Sequence, residues 1–363
     1  MSFSSFPRAA LDFVSKAIWN IPGRFQLANV LGRSYSLRCV VFHHIAAADS
    51  PFTAGTNVRA TPREFEDALK FLTAHYHPVC LEDVLADPDG SGLPERALLV
   101  TFDDAYASVP EVAAPLCRKY RVPAAFFVNA AFLDNHRLAP DNLICYVANK
   151  FGMEVIDAAA RTLRTGHSQR SNLRSLSETF TSFLPAITLS QRQAFLDELA
   201  RLTGIDESDL AAKSGLYMTS AQLRALSSYD FEIGNHTFSH VHGRSLTPDD
   251  FTGEIDRNKA ELESISGAKV RAFSLPYGSS KDLTPELAGH LRRSGHQAVF
   301  FSESVSNRRG SDRRHFDRVN CRPRDVRTLF VDIEVLPRLR AIRDRIAGPA
   351  AMRRSSATVG VAR

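Results

Sequence analysis

Ala97-Leu98-Leu99-Val100-Thr101-Phe102-Asp103-Asp104 is a short apolar run that stops on two adjacent carboxylates. It reads as a buried strand with a polar exit, because an unbroken apolar stretch this short, rich in branched and aromatic residues, suits a strand covered on both faces. The pattern repeats on either side. Leu37 to Phe42 is a second such run and ends at His43-His44; Pro123 to Val128 is a third. Further along, Phe231 to Ile233 ends at Gly234, and Val270 to Leu275 and Gln297 to Phe301 complete the set. Helix-like segments alternate with them. Thr61-Pro62-Arg63-Glu64 supplies a threonine cap, a first-turn proline and a glutamate that closes a capping box, followed by Phe65, Leu69 and Leu72 at helical spacing. Val109 to Tyr120, Ser220 to Leu226, the stretch opened by Thr247 and closed by Gly267, and Thr284 to Arg293 read the same way. Repeated strand–helix units predict an α/β fold with a parallel sheet inside and helices outside, as a barrel or an open sheet. In both, chemistry gathers at the carboxyl ends of the strands.

Residues from about 131 to 217 break the rhythm. They are mostly helix-like with serine-rich joints, and read as an insertion beside the mouth of the fold that would set substrate choice. Residues 1–35 hold an amphipathic helical segment, Ala9 to Ile21, stopped by Pro22; its interruption by Asp12, Ser15, Lys16 and Asn20 makes a poor signal-peptide core. The main unit then runs over 36–343, and the small, polar, basic stretch 344–363 is expected to be disordered. With 363 residues, 44% of them hydrophobic and 23% charged, the chain is globular in composition. A net charge of +5 without a basic-face motif argues against nucleic acid as partner. The densest basic run, from Arg308 through Arg318 to Arg327, is diluted by Asp312, Asp317 and Asp325 and reads as a solvated loop. No apolar run reaches transmembrane length. Five scattered cysteines without CxxC spacing suit free thiols in a reducing compartment, so a cytoplasmic location is expected.

Three strand exits carry the chemistry. Asp103-Asp104 places two like charges side by side, which needs a positive partner; a metal ion would bind one carboxylate and leave the other free to act as a base. Gly234-Asn235-His236-Thr237-Phe238-Ser239-His240 sets two imidazoles four residues apart, a spacing that lets both face one ion. Phe273-Ser274-Leu275-Pro276-Tyr277-Gly278 is a sharp turn that could aim the Tyr277 backbone N–H into the mouth as an oxyanion donor. One Asp and two His leave a coordination position open, as in catalytic rather than structural zinc sites. The set suits hydrolysis of an amide or ester, although cobalt, nickel or iron could also occupy it.

The order TFDD, HTxxH, PYG resembles the polysaccharide deacetylase family with the NodB-type domain, over about 36–130 and 217–325. The resemblance implies a (β/α)7-like barrel and an acetylated oligo- or polysaccharide as substrate. It makes Asp103 the catalytic base, Asp104, His236 and His240 the metal ligands, and the Tyr277 N–H part of the oxyanion site. Phe42-His43 resembles the YH near the end of the first strand in many members. Three departures stand out. Ala105 replaces a usual glycine, and Ser274 replaces an arginine that normally positions the base. No Leu-x-His follows to supply the general acid. His43, at the exit of the first strand, is preferred over His44 for that role; His290, His296 and His315 receive none. Two other readings fit the same residues: a metal amidase for a non-sugar substrate, and a binding module that holds a saccharide without cleaving it.

Overall fold

The computed structural model describes residues 17, 19–25, 35–87, 90–163, 173–227, 231–305, 307–308, 314–321 and 325–340. Most of the expected Ala9–Ile21 helix, the 344–363 tail and Arg309, Arg313, Arg322 and Arg324 of the basic run lie outside these residues.

Six parallel strands follow the apolar runs: β1 Tyr35–Phe42, β2 Ala97–Asp103, β3 Ala124–Val128, β4 Phe231–Asn235, β5 Ala272–Ser274 and β6 Ala298–Phe301. They pair in sequence order, with Phe42 opposite Phe102, Asp103 opposite Phe127, Phe127 opposite Gly234 and Asn235 opposite Phe273. The seventh stave comes from an unexpected place. Within the basic run, β7 His315–Asp317 pairs in parallel with β6, and β8 Val319–Asn320 pairs in parallel with β1. One short segment thus bridges the two edges of the sheet and nearly closes it into a barrel. Arg318 is the residue between its two halves, with its N–H on Phe301 O. The expectation of a solvated loop is therefore wrong for Arg318, which is completely buried.

Side-chain alternation sorts the barrel. Leu37, Cys39, Leu99, Ala125, Phe127, Ala272, Phe300 and Phe316 fill the lumen. Val40, Phe42, Leu98, Val100, Phe102, Phe126 and Val319 pack outward under the helices. Because strand side chains alternate faces, Thr101 and Asp103 share the lumen side with Leu99, and Arg318 shares it with Phe316. The outer helices include α1 Pro62–His75, α2 Leu81–Ala86, α3 Ala114–Lys119, and, between β3 and β4, α4 Pro140–Phe151, α5 Met153–Thr162, α6 Leu189–Thr203, α7 Glu207–Ser214 and α8 Ser220–Ser227. Two more, α9 Arg257–Ser266 and α10 Pro285–Arg293, cover β4 to β6. Thr61 and Glu64 form the capping box of α1, and Gly267 ends α9 in the left-handed conformation at φ +70°. All five cysteines are free. No helix among the described residues is long and apolar enough to cross a membrane.

Gly234 is glycine for want of space. A Cβ there would stand 2.3 Å from Cδ1 of Phe127, its register partner in the lumen. Gly234→Ala should therefore lower the unfolding free energy by about 1–3 kcal/mol, the usual cost of overpacking a core. A denaturant melt with unchanged slope and a lower midpoint is the expected readout.

Candidate active site

The two carboxylates at the end of β2 part company because the chain turns sharply between them. Asp103 is the last residue of the strand and stays in the lumen; Asp104 has φ +75° and Ala105 φ +58°. Where the family usually has glycine, Ala105 adopts a left-handed conformation that glycine enters more easily. The turn lifts the Asp104 carboxylate onto the rim, toward the loop after β4.

There, His236 Nε2 and His240 Nε2 each lie 3.3 Å from Asp104 Oδ1. One candidate ligand atom from each of the three residues falls within 4.8 Å of the others. The far side of each ring defines what Nε2 offers. His236 Nδ1 donates to Ser274 O at 2.8 Å, so in the neutral ring Nε2 carries a lone pair. His240 Nδ1 faces Asp141 Oδ2 at 2.7 Å, with the same consequence. Three acceptors thus converge on one point, an arrangement that needs a cation or an extra proton between them. The donor set fits a divalent metal ion. Without one, burial lowers the His240 pKa but the carboxylates of Asp141 and Asp104 outweigh it, raising it to about 8. Burial likewise acts to raise Asp104, and the two histidines overcome it, holding its carboxyl well below the usual range.

The loop that carries both histidines is pinned by buried amides. Asn258 Nδ2 donates to Val128 O and Asn235 Oδ1, which in turn accepts from the Thr237 N–H at 3.0 Å. Asn129 Nδ2 donates to Thr237 O at 2.9 Å. These bonds hold Thr237 at φ +62°, and Arg192 Nη1 holds the carbonyl of His240, at φ +52°, from 3.0 Å; a β-branched or bulky residue does not adopt such conformations unaided.

Asp103 has a different partner. Arg318 grips it bidentately, Nη1 to Oδ1 at 2.8 Å and Nη2 to Oδ2 at 2.7 Å. The other donors of the guanidinium reach Phe301 O, Thr101 Oγ1, Ser274 Oγ and Ser302 Oγ at 2.7 to 3.2 Å. Ser274 therefore makes room for an arginine that arrives from the closing strand and accepts one of its hydrogen bonds. Desolvation pushes the Asp103 pKa up, but Arg318 wins and holds it below the usual carboxylate value. Its Oδ2 stays 3.8 Å from His236 Nε2, beside the ligand cluster and not within it.

His43 lies among the same charges: Asp104, Asp103, Arg318 and His236 all act on it. Burial lowers its pKa by more than the two aspartates raise it, so the ring is held neutral. His44 turns elsewhere, with Nδ1 on Ser108 Oγ at 3.0 Å. Tyr277 sits at φ +62° between Pro276 and Gly278, its ring stacked on His242 at 3.6 Å and its hydroxyl donating to Asp141 Oδ1. His290 and His296 face Asp256 and Asn235, away from the cluster. Sequence reasoning missed Arg318, Asp141, Asn129 and Asn258. Only Arg318 left a trace: Ser274 in the third motif called for a replacement, and Phe316, Val319 and Cys321 hint at a strand around it.

Removing Arg318 leaves a buried carboxylate without compensation. Arg318→Met should cost about 3–5 kcal/mol at neutral pH, and Asp103→Asn in the same chain should recover part of it. The sign with pH follows. In the wild type Asp103 titrates below its unfolded value of about 3.9 and stabilises the fold above it. In the variant its folded pKa moves upward, so the deficit against wild type should shrink as pH falls from 7 toward 5. Urea melts across that range measure it.

With this geometry in hand, comparison with known proteins places the chain. Solved structures with the same fold include the Streptococcus pyogenes deacetylase PplD in complex with acetate (14% identity, TM-score 0.54, 82% of this chain and 98% of that one). IcaB from Ammonifex degensii is similar as well (19%, 0.52, 83% and 98%), as is a de-N-acetylase from Aggregatibacter actinomycetemcomitans (15%, 0.52, 82% and 99%). At such identities the likeness is one of fold. A search of curated protein sequences finds no match. The sequence profile of polysaccharide deacetylases matches residues 90–177 and 188–301, more than half of the chain, from just before β2 to the end of β6. The chain belongs to the polysaccharide deacetylase family and is a hydrolase of that family.

Proposed function

We propose that the protein is a metal-dependent deacetylase that removes N-acetyl groups from an acetylated oligo- or polysaccharide, with Asp103 as base. The observation that carries this reading is the division of labour between neighbouring carboxylates. Asp104 converges with His236 and His240 on one point, while Asp103 is tied to Arg318 beside it. A saccharide-binding module without turnover has no use for a second carboxylate held ionised next to the ligand set. The choice of an N-acetyl bond draws on the similar structures, one described as a de-N-acetylase and another as a deacetylase with acetate bound.

Asp104, His236 and His240 would hold the ion, zinc first among the candidates; when bound it supplies a Lewis acid for the acetyl carbonyl and makes water more acidic. The protein's own groups do the rest. Asp103 takes the proton of the attacking water, and Arg318 keeps that carboxylate charged and aimed. The Tyr277 backbone N–H, presented by the left-handed turn, donates to the oxygen that gains negative charge. His43 protonates the departing nitrogen. Burial lowers the His43 pKa, so the neutral ring takes up the proton it delivers during the reaction.

Two measurements test these roles. Asp103→Asn should bind as much metal as wild type by elemental analysis, yet release acetate from chitooligosaccharides roughly 10²–10⁴ times more slowly, the typical loss with a general base. Metal lost along with activity would make Asp103 a ligand and exchange the two aspartates. His43→Ala should damage turnover of an acetamide far more than that of an activated acetyl ester, whose leaving group departs without a proton. Equal small defects on both would remove His43 from the mechanism.

A further inference from the structure

Both oxygens of one carboxylate from outside the barrel are spent on the candidate site. Asp141 lies in the first turn of α4, where Pro140 opens the helix, within the helical stretch between β3 and β4. An aspartate there is ordinarily explained by the helix dipole, and would then face solvent or its own backbone amides. Asp141 does otherwise. Its Oδ2 stands 2.7 Å from His240 Nδ1 and its Oδ1 accepts the Tyr277 hydroxyl. His240 Nδ1 is buried and has no linear hydrogen-bond partner among the described residues, because Asp141 approaches it obliquely to the ring N–H. A second residue of the same stretch reinforces the contact. Arg192, buried on α6, donates through Nη1 to both Ser239 O and His240 O at 3.0 Å, and through Nη2 to Ser239 Oγ.

We propose that Asp141 is a positioning residue for the metal centre: it fixes the tautomer and orientation of His240 from behind and ties that ligand to the Tyr277 turn. The helical stretch is then part of the site's construction as well as a wall beside it. The surrounding contacts support this. A carboxylate behind a ligating imidazole makes Nε2 the free lone pair and raises its basicity. The Tyr277 phenol, a hydroxyl donor at neutral pH, gives its hydrogen to Asp141 Oδ1. His242, stacked on that ring and bonded to Asp282 at 2.9 Å, restrains the phenol. One carboxylate thus couples the ligand loop after β4 to the turn after β5.

The proposal rests on the metal reading of Asp104, His236 and His240, and the test separates the two. Full-length wild type, His240→Ala, Asp141→Asn and Tyr277→Phe are stripped of metal and titrated with Co²⁺. Zinc affinity is taken from competition with a chromophoric chelator, and thermal melts of the metal-free proteins are run alongside. Wild type should bind one equivalent with a saturable visible cobalt spectrum, and His240→Ala should lose it. Asp141→Asn should bind roughly 10–100-fold more weakly, the usual loss with an outer carboxylate, with a shifted cobalt spectrum and a melt close to wild type. Tyr277→Phe, which removes the phenol bond but leaves Asp141 on His240, should stay within about threefold of wild-type affinity, well short of that loss. Wild-type affinity and spectrum in Asp141→Asn, with His240→Ala defective, overturn the proposal and leave the metal centre standing. A loss in Tyr277→Phe as large as in Asp141→Asn also overturns it, by showing that the phenol contact alone carries the effect. Equal binding by wild type and His240→Ala, or none by either, removes the metal centre itself and the proposal with it.

Discussion

The ion pair between Asp103 and Arg318 is the constraint on which the rest of the structure turns. Both groups are buried in the lumen, where an unpaired charge is costly and a pair is tolerated only with every donor satisfied. Arg318 meets that condition through contacts with β2, β5 and the end of β6. The same residue joins the two halves of the stave that closes the barrel. Closure and the proposed base therefore depend on one side chain: the strand that completes the sheet also delivers the cation paired with Asp103.

That arrangement explains the departure at Ser274. An arginine rooted at that position and one arriving from the far edge would compete for the same carboxylate and space. A serine there is small, and its hydroxyl accepts from Arg318 at 2.7 Å. The rim around the pair concentrates backbone strain. Asp104, Ala105, Thr237, His240 and Tyr277 are five of the eleven non-glycine residues with positive φ among those described. Each such conformation costs on the order of 1–2 kcal/mol, and the surrounding bonds over-determine it. Asn129, Asn235 and Asn258 hold the histidine loop, and Arg192 and Asp141 hold it from the helical side.

Much of this was legible in the sequence, for a simple reason. Strands covered on both faces must be apolar throughout, so β1, β2, β3 and β6 announce themselves, and the polar residues at their ends mark the rim. Motifs that lie within one turn, such as Asp103-Asp104 or His236 and His240, survive in one dimension. The closing stave did not, because its six residues divide their pairing between two neighbours and sit among arginines that look solvated. Arg318 is charged yet buried, and charge in a sequence carries no record of a partner more than two hundred residues away. Asp141 was hidden for the same reason, since its position at a helix start has a sufficient local explanation. The polar lattice behind the site is built of asparagines on three separate elements, which no local pattern unites.

The central claim is that neighbouring aspartates hold separate posts, one on the metal and one beside it. Anomalous diffraction at the zinc edge from crystals of the zinc-loaded protein tests it in one measurement. The account predicts a single peak within roughly 2.0–2.2 Å of an Asp104 oxygen and both Nε2 atoms, with Asp103 outside ligand distance and still paired with Arg318. Absence of a peak at this position, or a zinc ion bound through Asp103, would contradict it.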